Sequence, residues 1–246
     1  QEMYENGTVA VGDICNTTDT LAVKQKSRIR WHNFIEVSGF VGAVAEKRLA
    51  DMQDVFDAFQ ETNGVNSVYG KTSFSPHAPY SVSKKLFELL NSATKNQLTT
   101  IHNQECAAEN ELFKNKSGDF LDLYKNFGID ISSFAATGTT SMQSWLPYFT
   151  NSQSIISVHN TFTAAADLEL AAAMALKNKL QLFYCICINA NTYIEQQTPP
   201  IELLLKNNVV PVIGTDSYAS NHQLSILEEI KAIQQATGHL IPLHKL

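Results

Sequence analysis

Seven short apolar runs, nearly all separated by helix-length segments, constrain this chain more than any other feature. They lie at 8–14, 34–37, 66–74, 98–101, 154–158, 180–188 and 209–213. Rich in β-branched residues and too short for helices, they read as strands. The intervening segments 18–26, 44–62, 84–95, 141–148, 163–176, 199–205 and 221–236 read as helices, with Ser83 placed to cap the third. Strict alternation implies parallel strands, because parallel neighbours need a long crossover and a helix supplies it. No Gly-x-Gly-x-x-Gly follows any run, which disfavours a dinucleotide-binding doubly wound sheet. The expected fold is α/β: a single domain over 1–246, a TIM-like (β/α) barrel with seven of eight units visible and the first strand absent.

The residues that close these runs suggest where chemistry would occur. The run 98–101 delivers His102, with Glu105 three residues on. The run 154–158 delivers His159 and Asn160, and 209–213 delivers Gly214-Thr215-Asp216-Ser217. In a parallel barrel all strand carboxyl ends share one face, where active sites lie. A lone strand-end histidine is usually hydrogen-bonded structure, but three aligned strand ends plus Glu105 favour a shared site. Imidazole and carboxylate groups there can hold a divalent metal or move protons. Glu36 interrupts an apolar run and reads equally as a half-exposed strand end or a pocket carboxylate. His77 sits between Pro76 and Pro79 in a stiff loop. The stretch 115–150, with Gly118, Gly128 and Gly138, is long enough to form a lid or binding loop. The run 180–188 is apolar enough to be buried on both faces.

Bulk properties exclude several functions. A formal charge of −6 without a block of like charges argues against nucleic acid or an acidic membrane surface as partner. The apolar stretch 168–176 is far too short to span a bilayer. Cys15, Cys106, Cys185 and Cys187 make no disulfide pattern, and the Cys185-x-Cys187 pair reads as structural thiols on one strand face. Unpaired thiols fit a reducing, cytoplasmic setting.

Taken in order, Gly7-Thr8 to Asp13, Pro76-His77-Ala78-Pro79-Tyr80, His102-x-x-Glu105, Val158-His159-Asn160, Cys187 to Asn191 and Gly214-Thr215-Asp216-Ser217 resemble the amidohydrolase superfamily. The resemblance is to its aminohydrolase and chlorohydrolase branch. It implies a metal-dependent hydrolase that deaminates an aminated purine-like heterocycle with metal-activated water, with Zn, Fe or Mn as cofactor. His102 and Asp216 would be metal ligands. Glu105 would shuttle a proton to the ring nitrogen and leaving amine, His159 would orient the attacking water, and Asp216 would take its proton. His77, Glu36, Asn191 and Ser217 would contact substrate, the last two near the pocket rim. The partner would be a small heterocyclic substrate, with a homodimer compatible with the pattern. Members of this branch also carry a His-x-His metal pair on the first strand, and none of the seven histidines here forms one. Ile188 and Ala190 stand where the branch has Pro and Ser. The expectation is therefore a fragment beginning after that pair, incomplete at its amino end and short at its carboxyl end. Such a fragment would hold metal weakly or not at all, be inactive alone, and expose two strand edges.

Two other readings compete. One is a catalytically dead relative that binds a ligand or partner. The other is a metal-independent barrel enzyme, which would need a phosphate loop or a strand-end lysine; Asn191 and Asp216 occupy those places.

Overall fold

The computed structural model describes residues 1–62, 70–209, 211–239 and 241–243. Chain order runs α1 (Glu2–Glu5), β1 (Ala10–Cys15), α2 (Leu21–Lys26), β2 (Arg30–Val37), α3 (Ala45–Asp51), α4 (Gln53–Thr62), β3 (Gly70–Pro76), α5 (Lys84–Ala93) and β4 (Leu98–Asn103). It continues with α6 (Ala107–Asn115), α7 (Phe120–Asn126), α8 (Ser141–Trp145), β5 (Ser154–His159), α9 (Ala165–Asn178), β6 (Gln181–Ile186), α10 (Ile188–Glu195), α11 (Ile201–Lys206), β7 (Pro211–Ile213) and α12 (Ile226–Ala236). Every strand pairing is parallel, and neighbours in space are neighbours in sequence: β1-β2-β3 in one sheet and β4-β5-β6-β7 in the other. That sequential order is a barrel's; a doubly wound sheet reverses direction partway.

The two sheets meet between β3 and β4, where no ladder forms among the described residues. Ser73 Oγ donates to the Leu98 carbonyl (2.6 Å) and Thr99 Oγ1 to the Phe74 carbonyl (2.9 Å). The His102 amide donates to the His77 carbonyl at 2.9 Å.

Apolar residues at strand and helix periods build the layer outside the sheets. Ile35, Val37, Ile101, Ile155 and Ile186 project from strands against Phe59, Leu86, Leu90, Trp145 and Phe149. On α5, Leu86, Phe87 and Leu90 are buried at helical spacing, and the Ser83 hydroxyl accepts from the Leu86 amide, as expected of an N-cap. Deleting one such leucine would cost about 2–5 kcal/mol. The segment 115–150 is more ordered than its glycines suggest. It holds α7 and α8, and Phe120 and Tyr124 pack with Leu112 and Phe113 of α6 in a second apolar cluster.

Several expected elements differ. The helix expected over 44–62 breaks at Met52, whose amide closes a tight turn onto the Leu49 carbonyl. The helix expected from 221 starts at Ile226, because the Asn221 side chain accepts from the His222 and Gln223 amides. That bonding holds a turn instead. The run 180–188 is not buried on both faces: Gln181 and Phe183 are exposed. Among the described residues β7 spans three residues and pairs with Tyr184–Ile186 of β6. The strand ends at Ile186, placing Cys187 in the turn before α10. Residues 66–69 of the third expected strand, Val210 of the seventh and His244 lie outside the described residues.

Candidate active site

The carboxyl ends of β2, β3, β4, β5 and β7 bring the titratable residues together. Glu36 precedes the last residue of β2, His77 follows β3, and His102 and Glu105 lie at and just beyond the end of β4. His159 ends β5, and Asp216 follows β7 by three residues. Two trios of donors result, each with its ligand atoms within 4.8 Å of one another: Glu36, His77 and His102, and Glu105, His159 and Asp216. The trios touch where His102 Nδ1 lies 3.2 Å from His159 Nε2, within hydrogen-bonding distance.

The backbone pays for this convergence in strain. Gln104 (φ 50°), His159 (φ 74°), Asn160 (φ 56°) and Asp216 (φ 58°) all leave their strands through the left-handed region. Each such non-glycine residue costs of order 1–3 kcal/mol unless its surroundings compensate. Here they do. Buried Asn160 donates to the Ser157 carbonyl (2.8 Å) and accepts from Ser157 Oγ (2.6 Å) and Asn103 Nδ2 (3.2 Å). Trp145 Nε1 donates to Asn103 Oδ1 at 2.8 Å. The Gln104 amide donates to Glu109 Oε1 (2.9 Å), and its side-chain carbonyl accepts from Thr163 Oγ1 (2.6 Å). Asp216 accepts from Ser220 Oγ at 2.5 Å.

On the first trio, Glu36 is a pocket carboxylate, its side chain only 11% exposed. Asn16 Nδ2 donates to Glu36 Oε1 (3.2 Å), and Glu36 Oε2 lies 3.6 Å from His102 Nε2. Burial opposes charge on Glu36, yet the hydrogen bond from His102 and the nearby histidines hold its carboxyl below the ordinary range. His102 is likewise penalised by burial, but Glu36, Glu105 and Asp216 outweigh it and raise its affinity for a proton. His77 is pushed down by burial. The Ser81 hydroxyl donates to the Ala78 carbonyl (2.9 Å), so at 2.7 Å it accepts from His77 Nδ1 and leaves Nε2 as a lone pair.

On the second trio, burial and the neighbouring Asp216 raise the Glu105 carboxyl, against the pull of His102. His159 is held down to about 3 by burial and by His102, so it is neutral near pH 7, and its 3.5 Å approach to Glu105 is not an ion pair.

Two residues expected at the pocket rim separate. Ser217 is exposed beside Asp216, whereas Asn191 is fully buried. Asn191 lies behind His159: its Nδ2 donates to Thr161 Oγ1 (2.6 Å) and faces His159 Nδ1 (3.4 Å). The first turns of α10 carry it inward, because Ile188 and Ala190 beside it are buried too. Sequence reasoning gave no role to Asn16, Ser81, Glu109 or Asn160, which orient the titratable groups. Glu109 had a signal: it is a carboxylate on the face of α6 that Leu112 and Phe113 bury.

The donor set fits a divalent cation. Imidazole nitrogens and carboxylate oxygens suit zinc, iron or manganese, and His77 and His102 have their ring nitrogens partly committed to neighbours, as metal-binding histidines do.

Among known proteins, the Amidohydrolase family's sequence model matches residues 1–242. The chain is 24% identical over 245 residues to an adenosine deaminase of Helicobacter pylori, covering 98% of this chain and 56% of that protein. It is 22% identical over 234 residues to a 5′-deoxyadenosine deaminase of Methanococcus maripaludis, covering 94% and 49%. The crystal structure of Helicobacter pylori aminofutalosine deaminase in complex with methylthio-coformycin superposes with a TM-score of 0.83 at 22% identity. That match covers 98% of this chain and 56% of the other, and it shows a shared fold. The chain thus spans about half the length of these relatives. The match extends over almost every residue, and the sequential parallel strands agree with it: the chain belongs to the amidohydrolase family.

Proposed function

We propose that this chain, one barrel domain over 1–246, carries the catalytic groups of a hydrolytic deaminase acting on an aminated purine-like heterocycle, a nucleoside above all. The supporting observation is the gathering of Glu105, His159 and Asp216 within 4.8 Å at the carboxyl ends of three parallel strands. The names of the relatives, adenosine and 5′-deoxyadenosine deaminases, supply the substrate class.

His102 and Asp216 would hold a divalent metal, zinc in this reading. When bound, such an ion acidifies water enough to make it a nucleophile near neutral pH. Asp216 takes the proton of the attacking water. Glu105, whose raised pKa favours retaining a proton, gives it to the ring nitrogen, then carries the proton of the newly added hydroxyl to the departing amine as the carbonyl forms; the proton left on Asp216 restores Glu105 through solvent. Neutral His159 orients the water by hydrogen bonding, and Asn191 holds the His159 ring from behind. His77 and Glu36 face the substrate, and Ser217 stands at the open side. The free cysteines support a reducing, cytoplasmic setting. No helix among the described residues is long and apolar enough to cross a membrane.

The test is ammonia release from a panel of aminated purines and nucleosides by the zinc-supplemented full-length protein. Release from an adenine nucleoside is expected. Nucleoside binding without ammonia release under any metal would instead favour a ligand-binding relative that has lost catalysis.

A further inference from the structure

Gln104 lies between His102 and Glu105, immediately ahead of the proton-carrying carboxylate, and its side chain is fully buried. Its surroundings are divided, acceptors on one side and donors on the other. Nε2 donates to Asp167 Oδ2 (3.1 Å) and to Asn110 Oδ1 (3.2 Å). Oε1 accepts from Thr163 Oγ1 (2.6 Å) and from Asn103 Nδ2 (3.2 Å). An amide, with one donating and one accepting end, satisfies both sides. A carboxylate of the same shape would lose both donations and face Asp167 with like charge.

The partners are themselves held. Asp167 also accepts from the Ala164 amide (2.9 Å) and from Thr140 Oγ1. Asn110 Oδ1 accepts from the Ser141 amide (2.9 Å), and Asn110 Nδ2 donates to the Phe162 carbonyl (3.3 Å). The Phe162 amide in turn donates to the Gln104 carbonyl at 3.1 Å. One buried side chain thus ties the exit of β4 to α6, to the amino ends of α8 and α9, and to the loop after His159. The tie acts on the next residue. Gln104 leaves β4 with φ 50°, a conformation that a non-glycine residue holds only where its surroundings fix it. That turn aims Glu105 at His159, with Oε1 3.5 Å from Nε2.

We propose that Gln104 is a positioning residue for the deamination: through its opposed bonds to Asp167 and Thr163 it holds Glu105 where proton transfer to the substrate ring requires it. This rests on the deaminase reading and deepens it, naming what sets the place of the proton shuttle. A reacting group displaced by about 1 Å loses of order 10²-fold in rate. Substrate affinity, carried by other residues, is spared.

The test is steady-state ammonia release from 5′-deoxyadenosine by the zinc-supplemented full-length protein. Gln104→Glu should lower kcat by about 10- to 100-fold, with KM changed by less than about twofold and zinc content unaltered. Adding Asp167→Asn gives the new carboxylate an amide donor where Oδ2 stood, and should recover about fivefold or more of that loss. Thr163→Val removes only the hydroxyl that donates to Oε1. It should lower kcat by about three- to tenfold, and it carries the test if Gln104→Glu does not fold. A purely structural role would lower the thermal midpoint and leave kcat per folded, zinc-loaded molecule unchanged. Unchanged kcat in both single variants, a change in KM alone, or losses that multiply in the double variant would overturn the proposal and leave the deaminase reading standing. Absence of ammonia release from any nucleoside by the wild type overturns both.

Discussion

Glu109 offers the sharpest test of the electrostatics behind the site. Its side chain is fully buried on α6, and Oε1 accepts from the Gln104 amide (2.9 Å) and from Ser141 Oγ. Oε2 has no partner among the described residues. Burial pushes its carboxyl up to about 7 from an ordinary 4.5, in spite of the Ser141 and Gln104 hydrogen bonds. Between those values the folded chain holds a proton that the unfolded chain has released, so stability falls as pH rises through that window. It levels off above the folded pKa. A displacement of roughly 2.5 pK units corresponds to about 3 kcal/mol. Glu109→Gln keeps an acceptor for Gln104 and Ser141 but cannot ionise. Its new amide would itself lack a partner, lowering stability by about 1–3 kcal/mol at every pH. Urea midpoints for both proteins from pH 4.5 to 8.5 separate the two effects: the difference between the curves should shift by about 3 kcal/mol in favour of the glutamine variant at high pH. Parallel curves would refute the reasoning.

Other outcomes follow from the same geometry. Glu105→Gln and Asp216→Asn should each lower kcat for ammonia release by about 10²-fold or more while leaving the thermal midpoint nearly unchanged; retained turnover removes that residue from the mechanism. Gly214→Ala places a Cβ 2.7 Å from Cys185 Sγ and 3.0 Å from Cys187 Sγ, and should cost about 1–3 kcal/mol in urea unfolding. Pairing it with Cys185→Ala should restore part of that loss, and strict additivity would show that the clash is not the cause. His32 is held down to about 4 by burial, so its contribution is present above pH 6.5 and lost as pH falls through 4. His32→Phe should flatten the acid limb of the stability curve by about 2 kcal/mol, a figure reduced for the ring's residual exposure.

The strand ends were legible because an apolar run followed at once by His, Asp or Glu has few uses in a parallel sheet. His102, His159 and Asp216 lie where that logic places them, and Glu36 turns out to face the pocket. What escaped was long-range or conformational. Gln104 meets Asp167 (3.1 Å) across 63 positions of sequence, and nothing local announces that pairing. The left-handed turns at His159 and Asp216 use residue types that tolerate that region better than most, but nothing local says which His or Asp adopts it. The start of α12 was misplaced because one Asn221 side chain outbid helix propensity for two backbone amides. Asn191 was misjudged because a motif gives order along the chain but not depth below the surface.

The meeting of β3 and β4 has a mechanical meaning. Glu36 and His77 belong to the three-stranded side, while His102, His159 and Asp216 belong to the four-stranded side. A ladder resists sliding because every residue must trade its hydrogen bonds together. Across the β3–β4 junction no ladder forms among the described residues, and the bonds there include side-chain ones from Ser73 and Thr99 beside the His102 amide. The cleft thus has two walls built by different sheets, and Glu36 and His102 face each other across their meeting line, 3.6 Å apart.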